Sequence, residues 1–505
     1  MHVRVSLTPE RATVAVLLGA MVGLVLWRAL PFLGPVPREG LYSSDSAVPV
    51  LMCNLATGAP VDWLYWGQDR FGSWPFLLAR AVGALVDRAW TPHGLHVFRT
   101  LWMVGALVPW LGLAGRSGLV AAAGLLLLPA SNPQLQRVLL DLGTVDGWQV
   151  PALLWAWWGI RRAAEERRPW RWLTVASAGA ALATWTSLVS APLLLVLALI
   201  EGGGRGLGPF RRSVLGLPAL VGLLVEVVVR TSWHRAVQAR GWRDVRTPAS
   251  LDVGHLLENA GRVAAAAWDA GAIPWLAVAV VGALAALGSR RWRDSPEART
   301  MVGAAAASFT ALLVVVSVRH VRENAYHPRY LGLGVSLAVL GTAVLLGVAV
   351  RAVAARLVPR GPSLVVGVVG LGAVALLAPR AAPDPREVVL RPAVEEIGRR
   401  YPGAVLALGY WRTYALAALL RPGAVIPVPR EGEWNRRPDW AAALRSGRPV
   451  LVGRPDRPGE AAPPALVERG AALVLVRPDV LTLPPFPGES LGERVSLYRL
   501  APGGG

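Results

Sequence analysis

The sequence predicts a polytopic α-helical membrane domain of about eleven transmembrane helices, followed by a small C-terminal α/β domain. Three observations lead there. Apolar runs long enough to approach a bilayer crossing recur down the 505 residues, which are 54% hydrophobic. Arginine clusters punctuate those runs at alternate junctions. After about residue 380 proline becomes dense, charge rises, and the long apolar runs stop.

The runs fall at roughly 12–33, 97–114, 117–130, 148–160, 172–187, 188–200, 213–230, 272–288, 301–318, 331–350 and 363–379. Several are short, and Pro192 and Pro218 are positioned to kink theirs. The first run carries Arg4 and Arg11 ahead of it, as a signal sequence would. Pro31, Phe32 and Pro35 follow where a cleavage site would need small residues, so it reads as an uncleaved span.

Orientation follows from arginine placement. Arg161, Arg162, Arg167, Arg168 and Arg171 form one cluster, Arg205, Arg211 and Arg212 a second, Arg290, Arg291 and Arg293 a third, and Arg351, Arg356 and Arg360 a fourth. Taking these loops as cytoplasmic puts the N-terminus inside, the 34–96 loop outside, and the tail outside. That parity requires Trp74–Trp90 not to cross. The segment holds Arg80, Asp87 and Arg88, and Leu77, Leu78, Ala81 and Leu85 recur near the helical period, which predicts a helix lying in the interface.

The chain therefore divides into a transmembrane domain, 1–380, and an extracytoplasmic domain, 381–505. In the second, the strings AVLALGY, AVIPV, PVLVG and AALVLV alternate with helix-like stretches at Tyr414–Leu420 and Trp440–Arg445. Strands alternating with short helices predict a largely parallel sheet. The tail carries no phosphate loop or nucleophile motif and reads as a cap over the outer loops.

The net charge of +20 comes with no lysine at all, every one of the 52 cationic side chains being arginine. Loop arginines and a GC-rich bacterial coding bias account for that, and nucleic-acid binding is not expected. The single cysteine, Cys53, excludes an internal disulfide and a multi-cysteine metal site. It is expected to be packed in a loop helix.

The stretch that carries chemistry is the first outer loop, GLYSSDSAVPVLMCNLATGAPVDWLYWGQDRFGSWPF, Gly40 to Phe76. It combines Asp45, Asp62, Asp69 and Gln68 with Trp63, Tyr65, Trp66, Phe71 and Trp74. Aromatics with polar tips settle at the headgroup level, and carboxylates kept beside them mark a functional pathway. The same SSDS sequence would also serve as a helix cap.

SSDSAVPVLM, TGAP and LYWGQDRFGSWPFLLARAVGAL together resemble the first loop of bacterial GT-C membrane glycosyltransferases, the superfamily of protein O-mannosyltransferases and aminoarabinose transferases. HPRYLGLG resembles the Arg-Tyr-Leu element of a late span in that superfamily, TWTSLVSAP its Trp-Thr element, and GYWRTYALAALLRPGAVIPVP its tails. The resemblance implies a GT-C fold, a polyprenyl-phosphate-linked sugar as donor, and Asp45 as the acidic residue of the first loop. It departs at two positions, Ser46 and Trp74, where relatives often carry acids.

Sugar transfer from a lipid phosphate needs a base for the acceptor hydroxyl, positive charge for the departing phosphate, and a dry channel for the isoprenoid. Asp45 is the candidate base, because a carboxylate partly desolvated at the membrane surface has a raised proton affinity. Gln68 and Asp69 are candidates for sugar hydroxyls, although Gly67 and Gly72 also make their segment a plausible turn. Asp141, preferred to Asp146, fits the family's second-loop carboxylate, which would orient the acceptor or share a divalent cation with Asp45. Arg329 is the choice for the lipid phosphate, with Tyr330 beside it, because a guanidinium matches phosphate oxygens in a fork. Anchoring at the interface is the competing role for both.

These readings converge on a multi-pass glycosyltransferase of the bacterial inner membrane acting on an extracytoplasmic lipid, glycan or protein. The other class a polytopic chain allows is non-enzymatic: a transporter or flippase, or an inactive scaffold. Transporters place ionisable residues at mid-membrane. Here only Glu226 sits within a span, and the rest gather in outer loops.

Overall fold

The computed structural model describes residues 15–24, 44–66, 71–203, 207–242, 251–289, 292, 294–357, 362–377, 385–433, 435–485 and 491–502. Each of the eleven apolar runs forms helix within them. They begin with α1 (Ala15–Leu24), then α2 (Ser44–Leu55) and α3 (Trp74–Leu85) of the first outer loop. Next come α4 (Pro92–Gly105), α5 (Leu107–Ala114), α6 (Gly118–Leu126), α7 (Pro133–Leu140), α8 (Asp146–Glu165), α9 (Trp170–Thr186) and α10 (Ser190–Gly203). After them are α11 (Pro209–Leu215), α12 (Leu217–Ala239), α13 (Leu256–Asp269), α14 (Ile273–Gly288), α15 (Pro296–Ser317), α16 (Arg319–Glu323), α17 (Gly332–Leu357) and α18 (Pro362–Leu377).

The expected span count is not carried over. Among the described residues, four helical stretches are long and apolar enough to cross a membrane: Pro92–Ala114, Pro209–Ala239, Pro296–Ser317 and Pro328–Leu357. The α13–α14 pair, bent by 105°, makes a fifth if it is one span. An apolar run in sequence fixes helix more firmly than it fixes a crossing, since α6 and α10 stop short of the roughly 20 residues a bilayer asks for. The α3 helix has 12 residues, too few to cross, and it leaves Leu78 and Leu85 exposed.

The membrane core is built around α5, α6, α8, α10, α15 and α17, with Trp110, Trp157, Ile160, Leu193, Ala304 and Leu337 fully buried. The α8 and α9 backbones touch because both present glycine. A Cβ on Gly159 would lie 2.7 Å from the Ala176 nitrogen, and one on Gly179 would lie 2.6 Å from the Ala156 nitrogen. Small residues permit such approach where lipid supplies no hydrophobic drive between helices. One loop assignment needs correcting here. Arg161 is not a solvated loop arginine; it is 1% exposed inside α8 and ion-paired with the buried Glu201 at 2.6 Å.

The tail forms α19 (Pro385–Arg400) and then β1 (Val405–Ala407), α20 (Tyr410–Leu419), β2 (Ile426–Pro427), β3 (Val450–Pro455), β4 (Ala465–Glu468), β5 (Ala471–Leu483) and β6 (Glu493–Leu500). The sheet order is β2-β1-β3-β6-β5-β4. It is mixed, not largely parallel. The β1 strand pairs in parallel with β2 and β3, whereas β3–β6, β4–β5 and β5–β6 are antiparallel. Helices separate β1 from β2 and β2 from β3, as parallel crossovers require. No helix lies between β4 and β6 among the described residues, so those strands pair by reversal.

This domain does not stand off from the membrane part. Ala47, Val50 and Leu51 of α2 and Phe76 of α3 share one buried cluster with Leu390 and Ile397 of α19 and Tyr414 and Leu416 of α20. Cys53 is free and buried in that cluster, as a packing residue. The α2 and α3 helices and the tail thus have a common core, which places one on the other.

Candidate active site

Asp45 occupies the first turn of α2, where the helix dipole favours a negative charge. The loop before α8 is seated against its backbone: a Cβ on Gly143 would lie 2.7 Å from the Asp45 carbonyl carbon. The Tyr65 hydroxyl donates to the Asp45 carbonyl oxygen. The Asp45 carboxylate is about one-third exposed and receives two donors on Oδ1, Arg436 Nη2 at 2.6 Å and the Tyr410 hydroxyl at 3.2 Å. Among the described residues its Oδ2 takes none.

Arg436 reaches Asp45 from the C-terminal domain and is itself 1% exposed. Its Nε donates to the Tyr410 hydroxyl at 2.8 Å and its Nη1 to the Trp66 carbonyl at 3.1 Å. Its guanidinium also lies over the rings of Tyr65 and Tyr410, at 5.1 and 5.6 Å. Burial alone would lower its proton affinity, but Tyr410, Tyr65 and Asp45 more than offset this and hold the pKa above the usual arginine value. The next residue fastens the same contact. Arg437 pairs with the fully buried Asp62 at 3.2 Å and lies 4.7 Å from the Trp66 ring.

A cavity of about 430 Å³ opens beside this pair. Its polar lining includes Asp45, Tyr65, Tyr410, Trp411, Arg436, His320, Arg329 and Tyr330. Val189, Ala311, Val314, Val315, Val318 and Leu333 make the apolar part. Arg329 donates to the Tyr330 hydroxyl at 3.0 Å and lies over its ring, and that hydroxyl contacts His320 Nε2 at 3.1 Å.

Of the residues singled out from sequence, Asp45, Arg329 and Tyr330 meet at this cavity. Gln68 and Asp69 lie outside the described residues. Asp141 is not among the lining residues; Asp146, which ranked second, is. The Asp141 carboxylate turns back to accept the Gly143 N–H at 2.8 Å, a local turn that aspartate makes readily. Burial lifts the Asp141 carboxyl to about 6, and the nearby Asp45 charge adds to this against the opposing Gly143 hydrogen bond.

The Thr184–Pro192 element works structurally. Thr186 accepts from Trp74 Nε1 at 2.7 Å, and Trp185 Nε1 donates to the Trp63 carbonyl at 2.8 Å. Trp74 is therefore a tie between α3 and α9. Sequence reasoning missed Arg436 and Tyr410. The signal available was the paired arginines of WNRRPDW, set between tryptophans in a tail read as a cap.

A divalent cation does not fit the donor set at Asp45. The carboxylate's partners are a guanidinium and a phenol, the next residue is Ser46 and not an acid, and the Asp141 carboxylate accepts the Gly143 N–H. Among the described residues no three His, Cys, Asp or Glu side chains gather as cation ligands.

In three dimensions the chain is similar to ArnT from Cupriavidus metallidurans bound to undecaprenyl phosphate. The TM-score is 0.52 at 16% identity, over 88% of this chain and 93% of that one. The fold is that of ArnT. The apo form of ArnT gives a TM-score of 0.48 at 16% identity, over 87% of this chain and 92% of that one. The apo oligosaccharyltransferase of Archaeoglobus fulgidus gives 0.47 at 13% identity, over 83% of this chain and 64% of that one. No sequence family and no curated protein matches the chain. What it shares with ArnT is the fold.

Proposed function

We propose that the chain is a membrane glycosyltransferase taking a sugar from a polyprenyl-phosphate donor. The observation that carries this is a cavity lined by a carboxylate, Asp45, by Arg329 with Tyr330, and by apolar valines and Leu333. The ArnT with which it shares a fold was solved with undecaprenyl phosphate bound, which supports the same ligand class here.

In this reading the isoprenoid lies against Val314, Val315, Val318 and Leu333, and the phosphate faces Arg329. Oδ2 of Asp45 takes the proton from an acceptor hydroxyl. The acceptor oxygen bonds to the anomeric carbon as the bond from that carbon to the phosphate oxygen breaks. The electron pair leaves on the polyprenyl phosphate, where Arg329 meets the charge. Direct displacement inverts the anomeric centre. The site faces outward from a bacterial inner membrane, with the N-terminus cytoplasmic and the C-terminal domain outside.

Sugar release from a panel of undecaprenyl-phosphate sugars, with full-length protein in nanodiscs, tests this. Asp45→Asn is expected to slow transfer by about 10²- to 10⁴-fold, the range for a lost general base, while expression and melting hold. Retained turnover removes Asp45 as the base. Wild-type protein that releases no sugar from any member of the panel would favour an inactive scaffold, a reading to which the Asp45–Arg436 ion pair lends itself. Cysteine labelling of Arg457→Cys from outside and Glu165→Cys only from inside is expected, and reversal breaks the orientation.

A further inference from the structure

We propose that Arg436 supplies the fixed positive charge that a divalent cation would otherwise bring to Asp45, so that this site holds its lipid phosphate without metal. The inference rests on the transferase reading above and names its electrostatic partner.

The argument starts from the carboxylate. A cation on the other carboxylate oxygen of Asp45 would lie close to a guanidinium held 2.6 Å from Oδ1, and two positive centres that close repel. The positions where further acids would complete a ligand set are otherwise used. Ser46 is 1% exposed, and Trp74 Nε1 donates to Leu182 and Thr186. Arg436 has the properties asked of the substitute. It lines the cavity, its charge cannot be titrated away at physiological pH, and it is clamped by Tyr410, Trp66 and Asp45.

The clamp also fixes its position before a ligand arrives. A buried charge held by several partners loses little freedom when it meets an anion, which is what preorganised stabilisation of a departing phosphate requires. With Arg329 lining the same cavity, the anion would meet guanidinium groups supplied by two parts of the chain. The C-terminal domain would then be part of the site as well as its cover.

Undecaprenyl phosphate is titrated into full-length protein in nanodiscs and followed by tryptophan fluorescence, with excess EDTA or with added magnesium or manganese. Wild type is expected to bind equally in all three conditions, within about twofold. Arg436→Gln is expected to bind at least about tenfold more weakly, with no rescue by metal, as for the loss of a charge-assisted contact. Arg436→Lys should recover most of the affinity.

Wild-type binding that collapses in EDTA overturns the inference without help from any variant, and leaves the transferase reading standing. Arg436→Gln binding like wild type also overturns it. If wild type binds undecaprenyl phosphate under none of the conditions, the transferase reading falls and this inference with it.

Discussion

The Asp45 carboxylate and the Arg436 guanidinium, 391 positions apart in sequence, meet at 2.6 Å. The contact joins the first outer loop to the C-terminal domain at the rim of the cavity, and the buried cluster shared by α2, α19 and α20 holds both ends in place. A residue that alters how α2 presents Asp45 should therefore act on the chemistry from a distance.

Gly143 is such a residue. A Cβ there would lie 2.7 Å from the Asp45 carbonyl carbon and 2.9 Å from its Cβ, both too close to be absorbed without moving α2. Gly143→Ala is expected to lower transfer by about tenfold or more at a stability cost of about 1–3 kcal/mol, typical of overpacking. Gly261→Ala, with nothing within 4 Å, serves as the control. Equal turnover of the two variants contradicts the placement of Asp45.

Asp141 should show itself in stability against pH. Its folded pKa of about 6 lies above the ordinary aspartate value of about 3.9. Below about pH 4 both folded and unfolded chains carry it protonated. As pH rises toward 6 the unfolded chain ionises first, so this group's contribution to stability is lost over that window and is flat above it. Asp141→Asn keeps an oxygen for the Gly143 N–H and is expected to gain melting temperature relative to wild type across pH 4 to 6. A difference between the two proteins that does not change with pH refutes it.

The buried Arg161–Glu201 pair should behave as a unit. Arg161 also donates to Leu113 and Thr300, each at 2.8 Å, and Trp157 Nε1 donates to Glu201 at 2.9 Å. Arg161→Met alone leaves a buried carboxylate uncompensated and is expected to cost about 3–5 kcal/mol. Arg161→Met with Glu201→Met should recover most of that, read by thermal unfolding in detergent. Additive losses in the double variant would mean the pair is not coupled.

What could be read from the chain, and what could not, divides along physical lines. Each apolar run announced a helix, because burial of apolar side chains is written residue by residue, but α7, α13 and α16 form in segments between the runs. They did not fix how many cross, because a helix such as α6 buries its apolar face against α5 and α17 whether or not it reaches both headgroup layers. The parallel half of the sheet followed from strands alternating with helices. The antiparallel half depends on which strands meet, and local pattern does not encode that.

At the site, Asp45, Arg329 and Tyr330, singled out from the resemblance and from their place beside spans, line one cavity. Asp146 was passed over for Asp141 because a VDG sequence looks like a turn, whereas the turn forms at Asp141 and Gly143 and Asp146 begins α8. Arg436 and Tyr410 were invisible, since nothing near them in sequence names a partner in the first loop.

The central claim is that the cavity between Asp45 and Arg329 receives a polyprenyl phosphate. A cryo-EM structure of the full chain in nanodiscs with undecaprenyl phosphate tests it most directly. The account expects phosphate density within hydrogen-bond reach of Arg329, with the isoprenoid along Val314, Val315, Val318 and Leu333. A cavity without lipid density, at a concentration where lipid is resolved elsewhere around the protein, would contradict it.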